Sequence, residues 1–244
     1  MKQVISPLLQ VGICAVGYLS ATSSATLAQV TSDGTVNTQV NQNGSITEIT
    51  GGETRGSNLF HSFQDFSVST GNEAFFNNAD SISNIFSRVT GENISSIDGL
   101  IRNNGSASLF LINPAGITFG ENARLDIGGS FYGSSASSIL FEDGEFSAAD
   151  LENPPLLTVN APIGLGFRDN PGDIVNRSNF DLTTTIINGE INPVFEGNEF
   201  SILDAIGLEI NPNENIALIG GNVFLENAGS ITASGGNVEL GGLL

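Results

Sequence analysis

Apolar residues in this chain recur at every second position, in short runs, and long stretches with helical spacing are missing after residue 28. Ile46 and Glu48 flank Thr47 and Ile49. Ala123, Leu125 and Ile127 alternate with Arg124 and Asp126, Val223 and Leu225 with Phe224 and Glu226, and Val238 and Leu240 with Glu239. Successive strand side chains point to opposite faces, so this pattern predicts short strands with one face in a core. Glycine, with 30 copies, and asparagine are abundant, and both suit frequent turns. Short strands with closely spaced turns make an all-β fold: a sandwich, a barrel or a solenoid.

Internal echoes favour the solenoid. Gly220-Gly221-Asn222-Val223-Phe224-Leu225-Glu226 is echoed by Gly235-Gly236-Asn237-Val238-Glu239-Leu240-Gly241. Asn43-Gly44-Ser45-Ile46-Thr47 is echoed by 227–232, and loosely by 104–108. Each phrase predicts a turn followed by an inward Ile, and stacked coils of a parallel β-helix would bury such rows in a continuous core. Asn at equivalent turns would stack in amide ladders along the axis. Such echoes also fit a sandwich.

One stretch combines these signals. Leu109-Phe110-Leu111-Ile112 is a continuous apolar block, as in a strand buried on both faces. Asn113 can bond its own backbone two residues on, Pro114 pre-sets a turn value of φ, and Gly116 is free to take positive φ. Ile117 and Phe119 then open a new strand. Alone, Asn-Pro-x-Gly between strands is an ordinary turn. Elsewhere, residues 142–156 are acidic and end in Asn153-Pro154-Pro155, which predicts an excursion from the stack, a loop with one helical turn. Residues 183–191 suggest a hairpin with an Asn-Gly turn, with regular coils resuming near Ala217. Cap candidates for the first coil are Val30 to Val40 and Phe60 to Val68, and Phe63, Phe66, Phe75, Phe76 and Phe86 are expected to pack core and cap.

The Asn113-Pro114-Ala115-Gly116-Ile117 turn, the Glu121–Phe131 stretch behind it and Gly56-Ser57-Asn58-Leu59-Phe60-His61-Ser62-Phe63 upstream together resemble the N-terminal secretion domain of the filamentous-haemagglutinin family. This is the exported partner of two-partner secretion, here of cyanobacterial type. The family motif reads Asn-Pro-Asn-Gly-Ile; Ala115 takes the third place and lacks the side-chain amide. The resemblance covers roughly residues 30–240. It implies a right-handed parallel β-helix with an N-terminal cap of antiparallel strands and with extra-helical hairpin or loop excursions. It implies a non-enzymatic secretion module recognised by an outer-membrane β-barrel transporter through periplasmic domains, with Asn58, Leu59, His61, Asn113, Pro114, Gly116 and Ile117 as the recognised residues. A haemagglutinin- or adhesin-like protein would then reach the cell surface by way of the periplasm. A β-helix adhesin binding glycans directly and a β-helix polysaccharide lyase or hydrolase are the alternatives.

Charge and the N-terminus refine this picture. Acidic residues number 26 against 7 basic ones, for a net charge of −19. Phosphate backbones require a Lys/Arg surface, so nucleic acid is excluded as a partner. Met1-Lys2, the apolar run from Val4 to Leu19 and Thr26-Leu27-Ala28 before Gln29 read as a signal peptide over 1–28, leaving a secretion domain over 29–244 with no membrane-spanning segment. Cys14, the only cysteine, lies in that leader, so the exported chain would contain no disulfide to lock a loop in transit. No polar cap follows Gly241-Gly242-Leu243-Leu244, and the chain is expected to be the front of a longer one. His61, the only histidine, could be imagined in a triad with Ser62 and Asp65, but strand neighbours face opposite ways and no nucleophile elbow is present, so a packing role is expected. No His/Cys cluster suits zinc, and 211–215 lacks calcium-loop spacing. No cofactor is expected.

Overall fold

The long sheet carries apolar side chains on both faces, and the chain path follows from the need to cover both. The computed structural model describes residues 29–150, 155–178, 184–187, 190–193 and 207–243; the expected signal peptide over 1–28 and the expected Asn188-Gly189 turn lie outside them. Strands Asn58–Asp65, Asn84–Val89, Ser108–Ile112, Phe131–Ser134, Ile216–Gly220 and Val238–Gly242 pair in parallel, in that order. A second sheet stacks Ser95–Ile97, Ile117–Phe119, Ile174–Asn176 and Val223–Leu225 in parallel. A third stacks Ile46–Gly51, Glu73–Phe76, Leu100–Asn103 and Arg124–Asp126, continued by Leu208–Ile210 and Ile231–Ala233. This is a parallel β-solenoid of about six turns, and no helix occurs among the described residues. Inside it, Leu59, Phe63, Ile85, Leu109, Leu111, Ile117, Phe119, Phe131, Ile174 and Leu218 form one core.

Strand alternation puts Phe60, Phe86, Phe110 and Ile112 on the outer face, where a second cluster forms. Its cover is the excursion. Ser138–Phe141 pairs antiparallel with Gly144–Ser147 on one side and Gly164–Gly166 on the other. This three-stranded sheet lays Ile139, Phe141 and Phe146 on the outer row, with Phe60 against Phe86 at 5.1 Å and against Phe146 at 5.1 Å between ring centroids. Leu109, Leu111 and Ile112 are therefore buried and Phe110 is half-buried between the two covers, close to what the continuous apolar run predicts.

Several expectations need correction. The excursion is β-structure instead of a loop with a helical turn, because Phe146 and Leu165 both pair across Ile139. The stack resumes well before Ala217: Ile174–Asn176 already occupies the second sheet, and the hairpin strands Thr184–Ile187 and Glu190–Pro193 follow it. One coil is thus stretched so far that Ser134 and Ile219, 85 residues apart, still touch. The segment from Phe60 is a strand of the first coil; the cap is Thr31–Ser32 and Glu53–Arg55, both antiparallel to it, plus Thr38–Asn43, antiparallel to Ile46–Gly51. Ile46 faces outward, because Asn43 and Ile46 pair at the tip of that cap hairpin and the register turns Thr47 and Ile49 inward. Leu225, Val238 and Leu240 remain exposed, since no further coil covers them. The Phe assignments hold, with Phe63, Phe66, Phe76 and Phe86 buried and Phe75 half-buried under the Arg102 guanidinium.

Amide ladders occur as single rungs. Asn84 donates to Asn58 Oδ1 at 3.0 Å, Asn104 to Asn77 Oδ1 at 2.8 Å and Asn237 to Asn215 Oδ1 at 3.0 Å, each one coil apart. Elsewhere an Asp takes the rung, as in Asn93 to Asp65 and Asn222 to Asp173.

The outer cluster should matter as much as the inner core. Phe86→Ala empties a fully buried ring site between Phe60, Phe110 and Phe141. It is expected to cost about 3–5 kcal/mol, read from the urea midpoint of the folded chain.

Candidate functional site

The two sequence motifs lie at opposite ends of the long sheet. Asn58 opens the first coil's strand and is level with Ser108 two strands away, whereas Asn113 follows Ile112 at the far end. The separation is roughly 16 Å along the strands and 10 Å across them. The structure does not bring the two motifs into one site.

The Asn113–Ile117 turn is a clamp in mid-stack. The Asn113 side chain is fully buried. Its Oδ1 accepts from the Ala115 N–H at 2.9 Å, the local bond the sequence predicts. Its Nδ2 reaches the preceding coil, donating to the Asn93 carbonyl at 3.0 Å and Ser95 Oγ at 2.9 Å. On the other side, the Pro114 carbonyl accepts from the Gly172 N–H at 2.9 Å and the Ile117 N–H donates to the Asp173 carbonyl at 3.1 Å. Gly116 sits at φ 111°, and a Cβ there would meet the Asp173 carbonyl oxygen at 2.7 Å. Three coils therefore meet at this turn, and both its asparagine and its glycine are required by close approach.

The Asn58–His61 stretch is equally enclosed. Asn58 donates to the carbonyls of Thr158 and Asn160, tying the first coil to the excursion. Leu59 and His61 face the solenoid core, and His61 is 1 % exposed. Its Nδ1 lies 3.3 Å from Thr38 Oγ1. That hydroxyl also accepts from the Ser62 N–H at 3.0 Å, so the threonine ties the ring to the strand backbone. Burial pushes the imidazole down from 6.5 to about 4, leaving it neutral near pH 7. Ser62 points to the other face of the strand, and Asp65 accepts from Asn93, so no triad is assembled.

What sequence reasoning missed is the cluster around Ser62. Arg88, one coil on and fully buried, donates from Nε to Ser62 Oγ at 2.7 Å and from Nη2 to Thr35 Oγ1 at 3.2 Å. Its Nη1 donates to the Ser147 carbonyl, and its guanidinium lies over the Phe146 ring. Ser62 Oγ donates onward to Asp33 at 2.6 Å. Burial works to raise the Asp33 carboxyl, but hydrogen bonds from Ser62, Thr35 and Thr90 together hold it below its ordinary value. Burial lowers the Arg88 guanidinium, opposed by the Asp33 charge. The only sequence signal is an arginine on an otherwise apolar strand, Ile85-Phe86-Ser87-Arg88-Val89.

Among the described residues no group of three His, Cys, Asp or Glu side chains converges to hold a metal ion. The 211–215 segment instead bonds neighbouring coils, with Glu214 accepting from Ser130 Oγ at 2.7 Å and Asn211 donating to the Ile127 carbonyl. No described helix is long and apolar enough to cross a membrane.

The family model of the TPS secretion domain, the domain of two-partner secretion, matches residues 28–244. The chain belongs to this family. It is therefore a secretion module of an exported protein, as the Asn-Pro-x-Gly-Ile turn and its surroundings suggest. The same fold is seen in a crystal structure of the HMW1 secretion domain from Haemophilus influenzae, at 20 % identity and a TM-score of 0.51. That match covers 88 % of this chain and 43 % of the other, so the chain spans less than half the length of that relative. The crystal structure of the filamentous hemagglutinin secretion domain is 14 % identical with a TM-score of 0.40, over 87 % of this chain and 99 % of the other. No curated protein matches the chain in sequence.

Two outcomes follow from this geometry. Asn113→Ala strands the Asn93 carbonyl, Ser95 and the Ala115 N–H, and should cost about 3 kcal/mol; Gly116→Val, which adds left-handed strain and a clash with the next coil, should cost at least as much by the same urea assay. His61 makes the domain lose stability as pH falls. Below 6.5 the unfolded chain takes up a proton that the folded one refuses until about 4. About 3 kcal/mol is lost across that window and none above it. The depressed Asp33 acts only at lower pH, so His61→Asn should flatten the slope between about pH 7 and 5.

Proposed function

We propose that this domain is a non-enzymatic module read in its unfolded form by an outer-membrane β-barrel transporter with periplasmic recognition domains, and that it folds only after passing the barrel. The observation that carries this reading is the burial of the recognition candidates. Asn58, His61 and Asn113 are 2 %, 1 % and 0 % exposed, and Gly116 and Ile117 are enclosed between coils. A partner has no access to these groups on the folded domain. On an unfolded chain all seven residues, Asn58, Leu59, His61, Asn113, Pro114, Gly116 and Ile117, are available, and an extended segment can add to an exposed sheet edge of the receiver.

Folding outside then gives direction to export. Each coil that closes removes apolar rows from water at about 25 cal/mol per Å² and opposes back-sliding. The cargo this module carries is a haemagglutinin- or adhesin-like protein destined for the cell surface.

The test is co-expression with the transporter encoded beside the chain, assaying medium, surface and periplasm for wild type, Phe86→Ala and Asn113→Ala. Wild type should leave the cell only with the transporter. Phe86→Ala, with both motifs intact, should still cross-link to the transporter although its fold is weak; Asn113→Ala should stay in the periplasm without cross-linking. A wild-type domain that folds in the periplasm regardless of the transporter overturns the reading. Equal cross-linking by the two variants reduces the Asn113 motif to a purely structural part.

A further inference from the structure

The outer row of the long sheet carries an aromatic stack that ends one rung early. In register across the six parallel strands it reads Phe60, Phe86, Phe110, Tyr132, Ala217, Glu239. Ring centroids step by 5.1, 4.9 and 4.3 Å, and the Phe110 and Tyr132 planes differ by 9°. These steps follow the strand spacing of about 4.8 Å, so the next rung is the place of another flat group. Ala217 supplies only a methyl there.

A cavity of about 290 Å³ opens at this rung. Tyr132 and Glu239 bound it along the row with Ala217 between them, and Ile219, Pro162 and Leu165 also line it. The excursion covers the first rungs, and its edge, Pro162 to Leu165, forms part of the cavity wall. No lining residue is basic. Among the described residues neither Tyr132 Oη nor the Glu239 carboxylate has a hydrogen-bond or ion-pair partner. One side of the slot is therefore an aromatic face and the other an unpaired carboxylate.

We propose that this slot binds a flat cation, the guanidinium of an arginine side chain presented by another polypeptide. Guanidinium is planar, stacks on aromatic faces, is weakly hydrated and forks a carboxylate with two N–H donors. It takes the place of the missing ring against Tyr132, with the Glu239 carboxylate, one rung further along the row, as its counter-charge. A lysine ammonium is a strongly hydrated point charge and gains less from an apolar slot. The cavity lies at the small end of ligand pockets, matching one side chain, and the net charge of −19 concentrates cations at the surface. The site is independent of the secretion reading, because it exists only on the folded domain.

The chain contains no tryptophan and two tyrosines, Tyr18 and Tyr132, so the part of the tyrosine emission that Tyr132→Phe removes reports on the slot. Titrating the folded full chain with N-acetylarginine amide should quench that emission saturably, with calorimetry giving the affinity. N-acetyllysine amide and free guanidinium should each bind about tenfold more weakly, the first by its hydration and the second by losing the aliphatic stem's contacts. Glu239→Gln should weaken arginine binding about tenfold. Ala217→Phe, which completes the stack, should abolish binding while raising the urea midpoint, so loss of fold is not the cause. The proposal is overturned if arginine amide shows no saturable binding, if Glu239→Gln leaves the affinity unchanged, or if a neutral ring such as glucose or N-acetylphenylalanine amide binds more tightly.

Discussion

A parallel sheet that is apolar on both faces can exist only between two covers, and here they come from different parts of the chain. The inner cover is the solenoid itself, each coil closing on the last. The outer cover is the small antiparallel sheet built from Ser138–Phe141, Gly144–Ser147 and Gly164–Gly166. Phe60 and Phe86 belong to the first two coils, yet much of the cover on their outer faces, Phe141 and Phe146 included, comes from the excursion. The first three coils are therefore not self-sufficient. Until the excursion is available, an aromatic face stays open to water at a cost that grows with its area. That delays the native state in a way that local contacts alone would not, because loop closure over such separations is slow.

Arg88 ties the same parts together through charge. A buried guanidinium is tolerable only when its donors are used, and here they are used by three distant segments: Thr35 of the cap, Ser62 of the first coil and Ser147 of the excursion. Asp33, anchored by Ser62 and Thr90, adds the compensating field. Cap, coil and excursion therefore complete one another. A chain missing any of them opens Arg88 to water and leaves part of this bond set unmade, so partly assembled states gain less than the finished domain. That is a source of cooperativity in a solenoid, whose nearest-neighbour contacts otherwise permit piecemeal formation.

The sequence made the solenoid legible where the physics is local. Alternation marked Ala123, Leu125 and Ile127, and the continuous run at 109–112 signalled burial on two faces. The Asx bond of Asn113 needed only its neighbours and was readable. Its bonds to Asn93 and Ser95, and the approach of Asp173 to Gly116, depend on which coil lies above and below, and spacing gives no clue once one coil is stretched by two excursions. The Asn-Gly-Ser-Ile phrase misled for a related reason. The same four residues make a coil corner or a hairpin tip, and at Ile46 the antiparallel pairing with the cap strand decided for the hairpin. The bonds of Arg88 were not readable, because its partners Thr35, Ser62 and Ser147 lie far away in sequence.

If the transporter reads the Asn113 turn as proposed, these long-range dependencies bear on how one turn would serve both folding and recognition. In the folded domain the polar atoms of Asn113 are fully engaged and the space above Gly116 is occupied by the next coil. No partner can use them without unstacking three coils. In the unfolded chain the same atoms are solvated and free. The two roles therefore exclude one another in state, and whichever binds first decides the outcome: a receiver that holds the turn extended blocks coil closure, and coil closure hides the turn from the receiver. Because the outer cover and the Arg88 cluster both wait on residues beyond 138, the chain has an interval in which the turn exists but the stack around it cannot be finished. On the proposed reading such a module would need no separate switch between being carried and being folded, since completion of the stack depends on its own excursion.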